Sequence, residues 1–157
     1  MWNSLPHNIQ LKNLDDFKIE IKKRIKPPKY KHFARGSKTG NSLLTRIRVG
    51  RSLLNQHSFT IGLSDSPECA CHFRSESSEH YFLDCFLYTP ERQTLLSLVE
   101  HYVPNFTRLT KKNKLDLLLR GVNLDNDEFL PTNTILTKAV QNFILQTKRF
   151  VKIEIEE

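Results

Sequence analysis

Apolar residues recur along this chain at steps of three and four positions, which is typical of amphipathic helices. The first stripe predicts a helix from Asn13 to Lys26, because asparagine caps helix starts and two prolines follow directly afterwards. The apolar positions of this helix are Leu14, Phe17, Ile21 and Ile25. We interpret the stripe as a face that packs against a core.

A second helix is predicted to begin at Ser42, a residue type that caps helices. Its apolar residues are Leu43, Leu44, Ile47, Leu53 and Leu54. Gly50 interrupts the stripe, and glycine destabilises a helix interior by about 1 kcal/mol relative to alanine. It therefore indicates either close packing or a break between two shorter helices.

Further helices are predicted along the rest of the chain. Ser77 or Ser78 can cap a short helix that carries His80 on its first turn. A longer helix follows, with Thr89 as its cap and a proline at its first position. A leucine-rich stretch (114–120) and a broad apolar stripe (135–150) are separated by an acidic loop (123–132). These patterns predict a mostly α-helical fold.

The chain of 157 residues has the length of one ordinary domain, and its net charge of +7 is unevenly distributed. Residues 1–60 hold thirteen Lys and Arg and three acidic residues, whereas residues 61–157 hold eleven and fourteen. The basic first part indicates a polyanionic partner, because clustered Lys and Arg gain free energy by releasing counterions from phosphates. A solvated charged face is the alternative interpretation.

Basic and aromatic residues are interleaved in residues 27–40, which we interpret as a linker. The cations expected to contact phosphate, here and on the second helix, are Lys29, Lys31, Arg35, Lys38, Arg46, Arg48 and Arg51. Tyr30 or Phe33 could stack on unpaired bases. The expected partner is RNA or single-stranded DNA, although similar loops also serve as solvated connectors.

No apolar run approaches the roughly 20 residues that cross a bilayer, and the first residues do not resemble a signal peptide. We therefore expect an intracellular protein, in the nucleus or the cytoplasm, whose partners include neither a membrane nor a small-molecule substrate. A reducing compartment also suits thiolate ligands.

All three cysteines fall within seventeen residues, and one histidine lies among them. Cys69, Cys71, His80 and Cys85 together are expected to provide the ligands of one structural zinc ion of the Cys3His type. They form two compact half-sites joined by a polar loop. Three buried, inert thiols are the alternative, and a disulfide framework is disfavoured because the number of cysteines is odd.

His72 and His101 compete with His80 for the fourth ligand position. His72 adjoins Cys71, which would strain the site, and His101 lies sixteen residues beyond Cys85. His80 is favoured because it completes a local loop, as structural zinc sites usually do. In a regular α-helix His80 and Cys85 would lie about 140° apart, so we expect a distorted helix end to turn both inward.

Several stretches of the chain, taken together, resemble one family of proteins. They are Trp2-Asn-Ser-Leu-Pro6 with the helix around Phe17-Lys18, Leu44-Thr-Arg-Ile-Arg-Val-Gly50, the Cys69-x-Cys71 pair, Glu79-His-Tyr-Phe-Leu-Asp-Cys85, and the segment from Phe143 to Phe150. Over nearly its whole length the chain resembles the carboxy-terminal part of the long open reading frame of non-LTR (LINE-like) retrotransposons, downstream of the reverse transcriptase fingers and palm.

The resemblance implies a division of the chain. Its parts would be the end of a polymerase thumb region (1–26), a basic linker (27–40), a zinc-binding helical domain with a zinc-knuckle-like Cys-Cys-His-Cys loop (41–150), and a charged tail (151–157). In the family, the parent polypeptide is an RNA-directed DNA polymerase, and its zinc-containing tail is thought to help hold RNA or target DNA. The rest of that polypeptide is a further expected partner.

The chain departs from the family in its catalytic motifs. It contains no Tyr-x-Asp-Asp sequence, and Asp15-Asp16 lacks the preceding tyrosine. No Pro-Asp followed by an Asp/Glu-x-Lys pair, as in a restriction-like nuclease, occurs after Cys85. We therefore expect a non-enzymatic fragment, a truncated copy of such an element. The sequence predicts a zinc-stabilised nucleic-acid-binding tail, and the alternative is a structural or protein-interaction module that packs on the polymerase body.

Overall fold

The computed structural model describes residues 35–150. Within this range the chain is largely helical and contains no strand, so the predicted mostly α fold class is confirmed. The predicted helix from Asn13 to Lys26, most of the linker and the charged tail at 151–157 lie outside the described residues.

The described range contains five α-helices. They are α1 (Lys38–Arg48), α2 (Asn55–Thr60), α3 (Thr89–Tyr102), α4 (Lys111–Arg120) and α5 (Leu130–Gln146). A π-helical turn spans His80–Asp84, and short 3₁₀ turns span Phe86–Tyr88, Phe106–Arg108 and Asp127–Phe129. No helix in the described range is long and apolar enough to cross a membrane.

Helix α1 is capped five residues earlier than predicted. Its cap is Ser37, whose hydroxyl accepts a hydrogen bond from the Gly40 amide at 3.0 Å, rather than Ser42. The reason is tertiary: Gly40 packs so closely on α5 that a β-carbon there would lie 3.0 Å from the Gln141 β-carbon. Gly40 therefore belongs inside the helix, at a contact that a larger residue would crowd.

Gly50 lies in a break between two helices, which is one of the two roles predicted for it. Helix α1 ends at Arg48, Gly50 adopts a φ of +69°, and the next helix starts at Asn55. The prediction that Leu53 and Leu54 lie on the second helix is wrong, because both fall in the connection. Leu54 is buried there, whereas Leu53 is exposed.

The later helices also start earlier than predicted. Thr89 is the first residue of α3 rather than its cap, and its hydroxyl donates to the Phe86 carbonyl at 2.8 Å. Helix α4 starts at Lys111, after the cap Thr110. Helix α5 starts at Leu130, within the predicted acidic loop, directly after a 3₁₀ turn that Asn126 caps.

Helix α5 is the centre of the fold and packs against α1, α3 and α4. The core side chains are Leu44, Ile47, Leu54, Tyr81, Phe82, Leu95, Val99, Phe106, Leu118, Leu136, Val140, Phe143 and Ile144. Tyr81 and Phe82 come from the π turn, so the segment that follows the cysteine pair contributes directly to the core. We call α1, α3, α4 and α5 the helical bundle.

The residues after α5 return to the π turn. The hydroxyls of Tyr81 and Thr147 are 2.6 Å apart, and the Phe150 ring meets the Tyr81 ring edge-on at 5.7 Å between centroids. The end of the described range therefore packs against the segment that carries His80.

Candidate metal centre

The structure brings together all four predicted ligand side chains. The possible ligand atoms of Cys69, Cys71, His80 and Cys85 lie within 4.8 Å of one another. The Cys69 and Cys85 sulfurs are 3.7 Å apart, and the Cys71 sulfur is 3.1 Å from His80 Nε2. Two sulfurs bound to one tetrahedral zinc ion at about 2.3 Å are separated by about 3.8 Å, so the first pair fits zinc closely and the second would open slightly around the ion.

The first two ligands lie on a tight turn. The Cys69 amide donates to the Phe73 carbonyl at 2.9 Å, and the His72 amide donates to the Cys69 carbonyl at 2.8 Å. His72 takes a left-handed conformation with φ +66°, which reverses the chain between the two half-sites. We call residues 67–85, from this turn to the last cysteine, the ligand loop.

The other two histidines considered for the site do not reach it. His72 is 91% exposed, and its Nδ1 lies 3.4 Å from Glu68 Oε1. His101 is exposed in the last turn of α3, where its ring meets Tyr102 edge-on. The geometry therefore favours His80 as the fourth ligand.

The π turn explains how His80 and Cys85 face the same point. The Cys85 amide donates to the His80 carbonyl at 2.8 Å, a five-residue step that is wider than the four-residue step of an α-helix. This is the distortion expected from the 140° separation in a regular helix. The Ser77 hydroxyl accepts from the His80 amide at 3.1 Å, so Ser77 rather than Ser78 caps the turn.

Burial sets the protonation states of the cluster. It raises the pKa of the Cys69 thiol to about 12 and also raises the pKa of Cys85, because a buried thiolate lacks solvation. Burial lowers the pKa of His80, which favours the neutral imidazole that metals bind. The thiols therefore need a nearby cation to ionise, and a divalent metal ion supplies one.

Contacts around His80 fix its ring. The imidazole stacks on the Phe73 ring with 4.4 Å between centroids and 6° between planes. His80 Nδ1 is buried without a hydrogen-bond partner in the described range, so the imidazole is oriented by stacking on Phe73 and by the contact of its Nε2 with the Cys71 sulfur. The buried Arg92 of α3 donates to the carbonyl of another ligand residue, Cys85.

A buried ion pair connects the ligand loop to the segment after α5. Glu76 is 1% exposed, and Arg149 donates to its two carboxylate oxygens at 2.6 and 2.5 Å. The Asn55 amide donates to the same carboxylate at 2.7 Å, and Arg149 also donates to the Asn55 side chain at 2.8 Å. Sequence reasoning missed this pair because its members are 73 residues apart and each resembles an ordinary surface charge.

The predicted phosphate-binding residues fall into three groups. Lys29, Tyr30, Lys31 and Phe33 lie outside the described residues. Arg35, Lys38, Arg46 and Arg51 are exposed. Arg48 is half-buried, donates to the Leu119 carbonyl of α4, and has its pKa lowered to about 10 by burial and by the charge of Arg120. Part of the role of Arg48 is therefore to join α1 to α4.

Comparisons with known proteins find nothing similar to this chain. No protein-family model matches it, and neither a curated protein nor a solved structure does. The resemblance to retrotransposon proteins therefore stays a prediction based on the residues quoted above.

Proposed function

We propose that this chain is a non-catalytic, zinc-stabilised module that holds RNA or single-stranded DNA, largely through phosphate contacts. The observation that carries the proposal is a fully assembled four-ligand cluster in a chain whose preceding exposed cations have no acidic neighbours in the sequence. From Ile21 to Ser64 the chain contains eleven Lys and Arg and no Asp or Glu. The described part of that stretch exposes Arg35, Lys38, Arg46 and Arg51.

The composition of the ligand set supports a structural zinc ion. Three thiolates and one imidazole fill a tetrahedral coordination sphere, and no position is left for a water molecule or a substrate. Iron and copper ions also bind thiolates, but a mononuclear Cys3His set at these distances is typical of structural zinc. The metal would stabilise the ligand loop. Because Tyr81 and Phe82 of this loop pack in the bundle core, the bound metal would also stabilise their packing there.

The basic surface supports a polyanionic partner. Each contact between an exposed arginine and a phosphate releases condensed counterions, which favours binding. In a retrotransposon polymerase, such a module would help to hold the template RNA or the target DNA without taking part in nucleotide transfer. We expect no templated nucleotide incorporation by this chain alone.

The test combines metal analysis with a salt titration. We expect one zinc ion per purified chain and an affinity for single-stranded RNA that falls steeply between low and physiological salt in filter binding. Arg46→Gln and Arg51→Gln should each reduce the slope of log K against log salt by about 0.7, the value for one lost phosphate contact on a single strand.

Arg108→Gln is the matched control, because it removes an exposed arginine from the 3₁₀ turn before α4 and should leave the slope unchanged. Absence of binding, or binding that does not depend on salt, would contradict the nucleic-acid part of the proposal.

One observation favours the second candidate, a protein-interaction module. Phe59, Ile61 and Leu63 fall within five residues at the end of α2, and all three are exposed, Leu63 to 71%. Apolar side chains grouped on a surface commonly mark a contact with another protein. If RNA binding fails, serine substitutions at these positions would test that function by loss of binding to a purified polymerase body.

A further inference from the structure

Phe73 is held in place by the metal site on two sides. Its carbonyl accepts the hydrogen bond from the Cys69 amide, and its ring lies parallel to the His80 imidazole. Both partners are candidate metal ligands. The position and the orientation of the ring are therefore set before any partner binds.

The same ring is open to solvent. Phe73 is 45% exposed although His80 covers one of its faces. A ring that only shielded the imidazole would gain more free energy by burying its second face as well. A fixed, flat, apolar surface with one open face is the geometry that accepts the face of another aromatic ring.

The surrounding charges also permit an anionic ligand. Arg74 follows Phe73 and is exposed. Two of the acidic side chains of the ligand loop already have cationic partners, Glu76 with Arg149 and Asp84 with Lys111. Pairing reduces their repulsion of a phosphate near Arg74.

We infer that Phe73 is a stacking platform for an unpaired nucleobase, with Arg74 placed to contact a neighbouring phosphate. The inference rests on the proposed nucleic-acid function and adds a base contact that the basic surface of α1 does not provide. Every base has a π face, so the platform accepts any base in RNA or single-stranded DNA. Loss of one such stack lowers affinity by about 5- to 150-fold.

The experiment compares base-bearing and abasic strands. A twelve-nucleotide single-stranded DNA, its abasic counterpart and an RNA of the same sequence are titrated against the zinc-loaded chain. The wild type is expected to bind both base-bearing strands more tightly than the abasic strand. Phe73→Leu should remove most of that preference without changing the salt slope, and Phe73→Tyr should retain it.

Phe86→Leu is the matched control, since Phe86 is another exposed phenylalanine and directly follows the last ligand. It should leave the preference for bases unchanged. If Phe73→Leu keeps its zinc and its preference for base-bearing strands, the inference is wrong while the proposed function stands. If the wild type binds none of the strands, both are wrong.

A measurement on the wild type covers the case in which Phe73→Leu fails to fold. With ¹³C-labelled phenylalanine, the Phe73 ring signals, assigned from the Phe73→Tyr spectrum, should move upfield when a base-bearing strand binds. The abasic strand should not cause this shift. Equal shifts with both strands would show that the ring only shields the metal site, and would overturn the inference.

Discussion

The ligand loop and the helical bundle on which it rests are stabilised by different interactions. The bundle depends on apolar packing, with Leu44, Leu136 and Val140 almost fully buried. The loop contributes Tyr81 and Phe82 to that core, but otherwise depends on polar chemistry: the ligand cluster, the Glu76 ion pair and backbone hydrogen bonds. Polar interactions of this kind fail together when one member is lost, whereas a packed core loses stability one side chain at a time.

The two regions also differ in charge. Residues 65–91, which include the ligand loop, carry six acidic residues and one arginine. In the preceding residues 21–64, by contrast, there are eleven Lys and Arg and no Asp or Glu. Glu76 and Asp84 are engaged in ion pairs within the fold. Metal loading would add a further negative charge, because three thiolates outweigh one divalent ion. The ligand loop is therefore suited mainly to bracing the fold, and most of the phosphate attraction comes from the exposed cations Arg35, Lys38, Arg46 and Arg51, with Arg74 as the one arginine of the loop.

The largest effect should come from removing a metal ligand. Cys85→Ser is expected to lose zinc and the order of the ligand loop, because structural zinc sites contribute apparent binding free energies of about 10–16 kcal/mol. Zinc content by elemental analysis and tryptic cleavage after Arg74 would report both changes. His72→Gln is the control and should keep its zinc. A Cys85→Ser chain with one zinc ion and an unchanged Tm would contradict the metal site.

Breaking the buried ion pair should have the next largest effect. Glu76→Gln leaves Arg149 without its carboxylate, and removal of one member of a buried pair destabilises proteins by about 3–5 kcal/mol. Urea unfolding of the zinc-loaded chain would measure the difference. Glu79→Gln, a change of the same kind at a half-buried position outside this pair, should stay within about 0.5 kcal/mol. Equal losses of unfolding free energy in the two variants would show that the ion pair does not stabilise the fold.

A cavity in the bundle should destabilise the fold without affecting the metal. Leu136→Ala removes a buried side chain from α5 and should cost about 2–5 kcal/mol. The zinc content at a temperature where the variant remains folded should stay at one ion per chain. Loss of zinc under those conditions would mean that metal binding by the ligand loop depends on the packing of the bundle core.

The smallest effect should come from the cap of the π turn. Ser77→Ala removes the acceptor for the His80 amide and should cost about 1 kcal/mol in thermal or urea unfolding. Ser97→Ala, on the exposed side of α3, should have almost no effect. If both serine variants have the same unfolding free energy, the hydrogen bond from the His80 amide to the Ser77 hydroxyl does not stabilise the fold.

The ligand set could be predicted from the sequence because the four residues are close together in the chain and their chemistry suits one metal. A distortion of the helix end could also be predicted, because a regular helix places His80 and Cys85 on different sides, but its form could not, since only the folded segment shows the wider five-residue step. The start of α1 was missed for a related reason. A glycine normally argues against a helix interior, and its close contact with Gln141 depends on a residue about a hundred positions away.

The ion pair between Glu76 and Arg149 also sets an order of events during synthesis. All four ligands precede Arg149, which is made 73 residues after Glu76. At about 5–20 residues per second, this interval lasts roughly 4–15 s. A nascent chain therefore has a complete ligand set for several seconds while the carboxylate beside it has no cation. Metal capture can come first, and the arrival of Arg149 then fixes the loop against α2.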